Sequence, residues 1–275
     1  MMMRYSNLHT HTTFSDGKNT PRETVEEAMR RNMLSIGFSD HSFTPNDPSY
    51  CMHLPKYEEY AREILALKEE FADRIPVYLG MEIDYYSEIP KIPLDYKIAS
   101  IHYIVENGVN YAIDSAAAAP CYGMKQINCA NDLFGGDMLG LAERYFSMMV
   151  EHVRRIEPTL VGHFDVITKF SLMPESDPRY LALSTDALSE TVKLCPFIEV
   201  NTGAISRGYR TVPYPIRPLL YHMKDIGAYP VLSADSHKNE NLTFFFDETV
   251  DLLRSVGFDS VYAFNGKDYD KYAIL

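Results

Sequence analysis

No run of eighteen apolar residues occurs anywhere in the 275-residue chain, so no helix is predicted to cross a membrane. The opening MMMRYSNLHT lacks the apolar stretch of a signal peptide. Cysteine is sparse, and Cys51, Cys121, Cys129 and Cys195 form no C-x-x-C pair. They read as free or buried thiols in a reducing cytoplasm, which is the expected location, and not as a disulfide framework. Positive charge is short as well: 26 Lys and Arg against 38 Asp and Glu leave a net charge of −12. A basic face for nucleic acid is therefore not expected. An anionic small molecule remains open, because divalent cations held in one cleft reverse the sign of the potential there.

What is present is a large supply of apolar residues, 46% of the chain, without repeats or low-complexity tracts. That suffices for one large α/β domain or two small ones. Short apolar runs alternate with helical spacing. Strands are predicted at Tyr5–Leu8, Leu34–Phe38, Val77–Ile83, Tyr96–Ile104, Thr159–Val161, Phe197–Val200 and Pro230–Leu232, with a further short apolar run at Ser260–Phe264. Helices are predicted after the Thr20-Pro21-Arg22-Glu23 capping signal and at Tyr57–Phe71, Met138–Arg155, Thr185–Leu194, Pro215–Ile226 and Phe246–Val256. Repeated strand–helix units imply a parallel sheet, and this many strands suggest a barrel. Glu106–Asp137, which contains Ala116–Ala119, fits no regular pattern and is expected to be a long irregular segment.

The strand ends share a chemistry. His9 and His11 follow the first strand, His41 the second and Glu82 ends the third; His102 lies in the fourth, His163 follows the fifth, and Asp235 and His237 follow the seventh, with Asp16 in the loop after the first. One H-x-H is also a polar strand edge, and a lone histidine at a strand end is usually a hydrogen-bonded polar residue. Six of the nine histidines at one end of successive strands are much harder to obtain by chance. That end is where βα barrels carry their active sites. Imidazole and carboxylate suit a borderline divalent ion such as Zn, Fe or Mn. Positions two apart in a strand share a face, so His9 with His11, and Asp235 with His237, point into one cleft. Nine candidate ligands are too many for one ion and suit two or three, with a carboxylate bridging a pair. His53, His152 and His222 fall outside the pattern and are read as ordinary polar residues, although His53 could line the cleft from its loop.

The motifs HTHTTFSDG, FSDHS, GMEIDYY, SIHYI, GHFD and SADSH, with NTGAISRGY before the last of them, together resemble the PHP (polymerase and histidinol phosphatase) superfamily, in its histidinol-phosphate phosphatase branch. The resemblance runs from Ser6 to Gly266, so a single domain over 1–275 is expected. It implies a distorted (β/α)7 barrel with a trinuclear metal centre. Carried over by position, it implies one ion on His9, His11, Glu82 and Asp235, a second on Glu82, His102 and His163, and a third on Asp16, His41 and His237. Arg207 and Lys169 are implied as phosphate contacts, and Asp235 and His237 as groups that also assist proton transfer.

The chemistry expected of such a site is hydrolysis of a phosphate monoester. Two to three divalent ions exceed the charge of Asp16, Glu82 and Asp235, and a hydroxide bridging them would attack phosphorus in line with the ester oxygen. No serine or cysteine nucleophile is required. The substrate implied by the resemblance is L-histidinol phosphate, within histidine biosynthesis; the alternative is a phosphoesterase of the same family acting on nucleotides or another small phosphate monoester. A polymerase-associated exonuclease of the family would favour a basic groove, which the charge balance argues against. Asp114 and Ser115 are candidates to meet the imidazole and amine of histidinol.

Overall fold

Thr20 shows how directly the local sequence writes the structure. Its side chain accepts from the Glu23 backbone while the Glu23 carboxylate accepts from the Thr20 backbone, and Pro21 opens the helix behind this capping box. The computed structural model describes residues 4–114, 124–126, 136–170 and 173–274. In chain order it contains β1 (Ser6–Asn7), α1 (Pro21–Arg30), β2 (Ser35–Phe38), α2 (Tyr57–Glu70), β3 (Val77–Asp84), β4 (Tyr96–Ser100), β5 (Tyr103–Glu106), β6 (Val109–Ala112), β7 (Met124–Gln126), α3 (Met138–Ile156), β8 (Leu160–Val161), α4 (Pro178–Leu194), β9 (Phe197–Asn201), α5 (Gly203–Ser206), α6 (Arg217–Asp225), β10 (Tyr229–Ser233), α7 (Phe246–Val256), β11 (Ser260–Phe264) and β12 (Tyr269–Ala273).

Seven strands form one parallel sheet in the order β1-β2-β3-β4-β8-β9-β10. Beyond the strand ends, His11 N donates to Ser236 O (2.9 Å) and Ser236 N donates to His9 O (3.0 Å). The chain after β10 thus returns to the chain after β1, and the sheet curls into a nearly closed seven-stranded barrel. Every residue of β3 is buried, as expected for a strand with helices on one face and the barrel interior on the other. The larger apolar core lies between strands and helices, and a smaller one fills the barrel around Leu8, Tyr78, Tyr96, Ile98, Leu160, Val231 and Phe264. Tyr96 fits inside because Gly80 faces it; a Cβ there would stand 2.1 Å from the ring. Its hydroxyl is shared between the carbonyls of Leu8 (2.5 Å) and Phe38 (2.9 Å), just before the two strand ends that carry His9 and His41.

Three expectations need correction. The segment 106–137 is not wholly irregular: β5 and β6 pair antiparallel and β6 and β7 pair parallel in a separate sheet. Asn107 and Gly108, both at positive φ, make the two-residue turn between β5 and β6, an Asn-Gly hairpin signal legible in the sequence. Ser115, Ala116–Ala119, Cys121 and Cys129 lie outside the described residues. The predicted strand Tyr96–Ile104 is two strands in two sheets, broken at Ile101–His102. The helix expected from Thr185 begins at Pro178, because Asp177 caps it by accepting from Arg179 N. The chain also adds β12, antiparallel to β11; its largely exposed residues gave no apolar run to read.

Candidate metal centre

The strand ends converge as the pattern of the sequence anticipated. Glu82, at the end of β3 and 1% exposed, is the centre of the arrangement. Its Oε2 lies 2.8 Å from His41 Nδ1, 3.2 Å from His9 Nε2 and 3.6 Å from His11 Nε2. Its Oε1 lies 3.0 Å from His163 Nε2 and 3.4 Å from His102 Nε2. The two oxygens of one carboxylate therefore face different sets of imidazoles. Around them, Asp235 Oδ1 is 3.2 Å from His11 Nε2, and Asp16 Oδ2 is 3.1 Å from His237 Nε2. All nine residues singled out from the sequence lie in this one cluster. Four overlapping groups have ligand atoms close enough to share an ion: His11, Asp16, His41 and His237; His9, His11 and Asp235; His9, Glu82 and His163; and His41, Glu82 and His102.

The donors fit divalent ions on a second count. Among the described residues, His9 Nε2, both ring nitrogens of His11, Asp16 Oδ1, Glu82 Oε2 and His163 Nδ1 are buried with no hydrogen-bond partner. Unsatisfied buried polar atoms are few in folded proteins because each carries a desolvation penalty. Their concentration in one cluster, on ligand-type side chains, is what a metal centre requires. Burial, reinforced by neighbouring His41 and His237, pushes His11 down to about 3, so it is a neutral imidazole with a lone pair to donate. Burial opposes ionisation of Glu82, but His9, His41 and His102 outweigh it and hold the carboxyl well below the usual range. For Asp235 the same opposition is overcome by the Arg207 guanidinium and by His9.

Carboxylates behind the ligands orient them. Asp84 Oδ2 accepts from both the backbone N (2.9 Å) and Nδ1 (3.2 Å) of His102, which turns Nε2 toward Glu82. Asp40, fully buried, accepts from Thr12 N (2.8 Å) and Ser15 Oγ (2.6 Å) and shapes the loop between His11 and Asp16. Asp235 itself sits at φ +44, a sparsely populated conformation for a non-glycine residue. It is accommodated because residue 203 is glycine: a Cβ there would come within 2.8 Å of the Asp235 Cβ. Sequence reasoning missed Asp84, Asp40 and Glu199. The first was within reach, since it lies two residues after Glu82 and so on the same face of the strand.

A cavity of about 450 Å³ opens above the cluster. Arg207 and Lys169 both line it, as do Asp47, Tyr50, Tyr103 and Asp114. Arg207 donates to Asp235 Oδ2 (2.7 Å) and stands 3.2 Å from His237 Nδ1. Lys169 is held by Asp114, donating to its carbonyl (2.6 Å) and carboxylate (3.3 Å). Tyr50 lays its ring edge-on to His41 at 4.7 Å, and its hydroxyl has no partner among the described residues. Of the remaining histidines, His152 bonds the Ile83 carbonyl and His222 bonds Ser189, while His53 is exposed beside Phe43 and does not line the cavity.

Comparison with known proteins gives a consistent result. The family model for the PHP domain matches residues 7–203. A probable histidinol-phosphatase of Deinococcus radiodurans is 26% identical over 260 residues, covering 90% of this chain and 92% of that protein. The histidinol-phosphatase of Bacillus subtilis is 24% identical over 273 residues, covering 90% of this chain and 98% of that protein. Among solved structures, the histidinol phosphate phosphatase of Lactococcus lactis, determined with zinc, L-histidinol and phosphate, superposes with a TM-score of 0.67 at 22% identity, covering 98% of this chain and 99% of that one.

Proposed function

The chain belongs to the PHP domain family, and from that premise we propose that it is a metal-dependent phosphatase that hydrolyses L-histidinol phosphate to L-histidinol and phosphate in histidine biosynthesis. The observation that carries this reading is Glu82, one buried carboxylate presenting separate oxygens to two sets of imidazoles beneath a cavity lined by Arg207 and Lys169. In this reading two or three divalent ions occupy the cluster. His9, His11, Glu82 and Asp235 would hold one, Glu82, His102 and His163 another, and Asp16, His41 and His237 the third. Zinc, iron and manganese all suit these donors. Such ions supply Lewis acidity and bring a water molecule's pKa toward neutrality.

The chain's own groups then divide the remaining tasks. Arg207 stands at the rim with its planar fork partly engaged on Asp235 and with further N–H groups for phosphate oxygens. Lys169, more buried than Arg207, adds a second positive charge to the cavity, tempered by Asp114. Asp235 and His237, whose Oδ1 and Nδ1 lie 3.6 Å apart beside the cavity, are the groups we assign to assist proton transfer besides serving as ligands. Asp47 and Asp114 place negative charge in the same cavity, which suits a substrate that carries an amine and an imidazole besides its phosphate. Asp114 keeps this role from the sequence expectation; Ser115 lies outside the described residues. A small-molecule substrate, no nucleic acid and a cytoplasmic setting complete the reading. The net charge of −12 supports the second, and the free buried thiols of Cys51 and Cys195 fit the third.

The test is phosphate release from histidinol phosphate, a mononucleotide, an aryl phosphate and an oligonucleotide, assayed side by side on metal-loaded protein. Histidinol phosphate should give the highest kcat/KM. Equal efficiency on the aryl phosphate would leave a phosphatase but reject this substrate, and full activity in protein stripped of metal would reject the mechanism.

A further inference from the structure

Glu199 is fully buried in the middle of β9 and belongs to none of the ligand groups above. Its Oε1 accepts from His9 Nδ1 (2.7 Å) and from Ser233 Oγ; its Oε2 accepts from the backbone N of His163 (2.6 Å) and from Asn201 Nδ2 (2.9 Å). The donors come from β9 itself, from the end of β10, and from the chain just past β1 and β8. A carboxylate is costly to bury unless its oxygens are met by donors, and here both are. Two consequences follow for the cluster. With Nδ1 committed as a donor, His9 is fixed in the tautomer whose lone pair is on Nε2, the atom that has no hydrogen-bond partner among the described residues and faces Glu82 and Asp235. With its backbone N tied to the same carboxylate, His163 is set at a defined position relative to His9. Asp16, His41 and His237 make no hydrogen bond to Glu199 among the described residues.

We propose that Glu199 is a positioning residue that couples two of the ion positions: by orienting His9 and His163 together, it makes the ions that these histidines reach bind as a pair, while the ion on Asp16, His41 and His237 is held by side chains that make no bond to Glu199. The proposal rests on the ligand assignment made above. A partner behind a metal-ligating histidine fixes its tautomer and raises its basicity, and losing it typically weakens metal binding roughly 10–100-fold.

The experiment is zinc titration against a competing chelator for the unaltered protein, Glu199→Gln and Ser233→Ala. Glu199→Gln should weaken two ions by roughly 10–100-fold and leave the third at its original affinity, with KM for histidinol phosphate restored once zinc is saturating. Ser233→Ala keeps the carboxylate and removes a donor that competes for Oε1, so all ions should stay at their original affinity. Unchanged zinc binding in Glu199→Gln, or equal weakening of every ion together with a lower Tm of the metal-free protein, would show a purely structural carboxylate and overturn the proposal. Should Glu199→Gln fail to fold, nitrogen-15 ring spectra of the unaltered zinc-loaded protein decide: His9 must carry its proton on Nδ1 and zinc on Nε2, and the reverse arrangement overturns the proposal. If the unaltered protein binds no zinc, the ligand assignment fails first, and that result is read before any variant is made.

Discussion

At one end of the barrel, Tyr96, Phe197 and Tyr229 begin their strands and meet the β11–β12 hairpin. Phe197 stacks on Tyr269 at 3.8 Å, Tyr229 lies 4.5 Å from Tyr262, and Tyr96 lies 5.8 Å from Phe264. At the other end, the strands run out into Glu82, His102, His163 and Asp235, and atoms of Glu82, His163, His9, His11 and Asp16 there have no partner among the described residues. The aromatic end is filled chiefly by ring contacts, with the Tyr96 and Tyr269 hydroxyls bonded to backbone carbonyls. The polar end, though braced by Asp84, Glu199 and Arg207, leaves those atoms for what it binds. A barrel permits this division because its interior filling separates the two: Tyr96 seals the inside beneath Leu8 and Phe38, so ligand-type side chains above it can be chosen for chemistry with little regard for packing.

If that division holds, damage at each end should be read by a different instrument. The largest effect is expected at the polar end. Glu82→Gln keeps the shape but removes the charge that two ion positions share. Metal content should fall, and kcat/KM should drop on the order of 10⁴-fold, the loss expected when several kcal/mol of metal-assisted stabilisation goes. Elemental analysis and steady-state rates check it; a fully metallated, active variant would break the comparison at its centre. Next in size is Phe264→Ala at the aromatic end. Emptying this buried ring position should cost about 3–5 kcal/mol of stability, read as a lower denaturation midpoint. Metal content, and kcat/KM of the folded fraction, should not change. A loss of bound metal in that variant would mean that the two ends are not separable.

A smaller effect tests the rim. Arg207 is not a ligand, so Arg207→Ala should leave metal content unchanged. Losing a charge-assisted bond to phosphate should cost about 1.5–3 kcal/mol, roughly tenfold to a hundredfold or more in kcat/KM. Arg207→Lys should restore only part, since an ammonium cannot make the two-pronged contact. Unaltered kcat/KM in Arg207→Ala would reduce the guanidinium to a counter-charge for Asp235 and move attention to Lys169.

The two ends also differed in how far they could be read from the sequence. Histidine and carboxylate at successive strand ends are conspicuous, because those residue types seldom recur there without a reason, and the structure brings all nine together. Glu199 was hidden by its setting: within PFIEVN it sits in an apolar strand, and its partners His9, His163 and Ser233 are distant in sequence. Only the pairing of β8, β9 and β10, with the chain after β1 closing against that after β10, brings them into reach. The aromatic plug was half legible. Ser260–Phe264 is an apolar run, but Tyr269–Ala273 is largely exposed and its role appears only on pairing with β11. The β5–β6 hairpin carried a local signal in Asn107-Gly108, overshadowed by the small residues that follow. The sequence places His102 inside a strand because Ile101, Tyr103 and Ile104 flank it; in the structure Asp84 captures the His102 backbone N where the strand breaks.

The smallest expected effect asks whether the acid sensitivity of the polar end comes only from its cleft. His152, on α3, lies outside the cleft yet is tied to it: Nε2–H donates to the Ile83 carbonyl (2.8 Å), between Glu82 and Asp84 on β3. Nδ1 faces an N–H of Arg155 at 3.1 Å. Protonating Nδ1 would set a second positive charge against that guanidinium in a buried site. Burial first, with Arg155 adding to it, pushes the ring down to about 4 from its ordinary 6.5. A histidine whose folded value is depressed gives stability that is fully present above 6.5 and is lost as pH falls toward 4, because the unfolded chain takes up the proton first. The loss attributable to His152 should reach about 2 kcal/mol at pH 5. His152→Gln offers an amide N–H to the Ile83 carbonyl and does not titrate. Denaturant unfolding of the two metal-free proteins from pH 8 to pH 4 should show the variant's stability falling less steeply below pH 6.5. Parallel curves would place the whole acid response in the cleft histidines and leave α3 with no part in it.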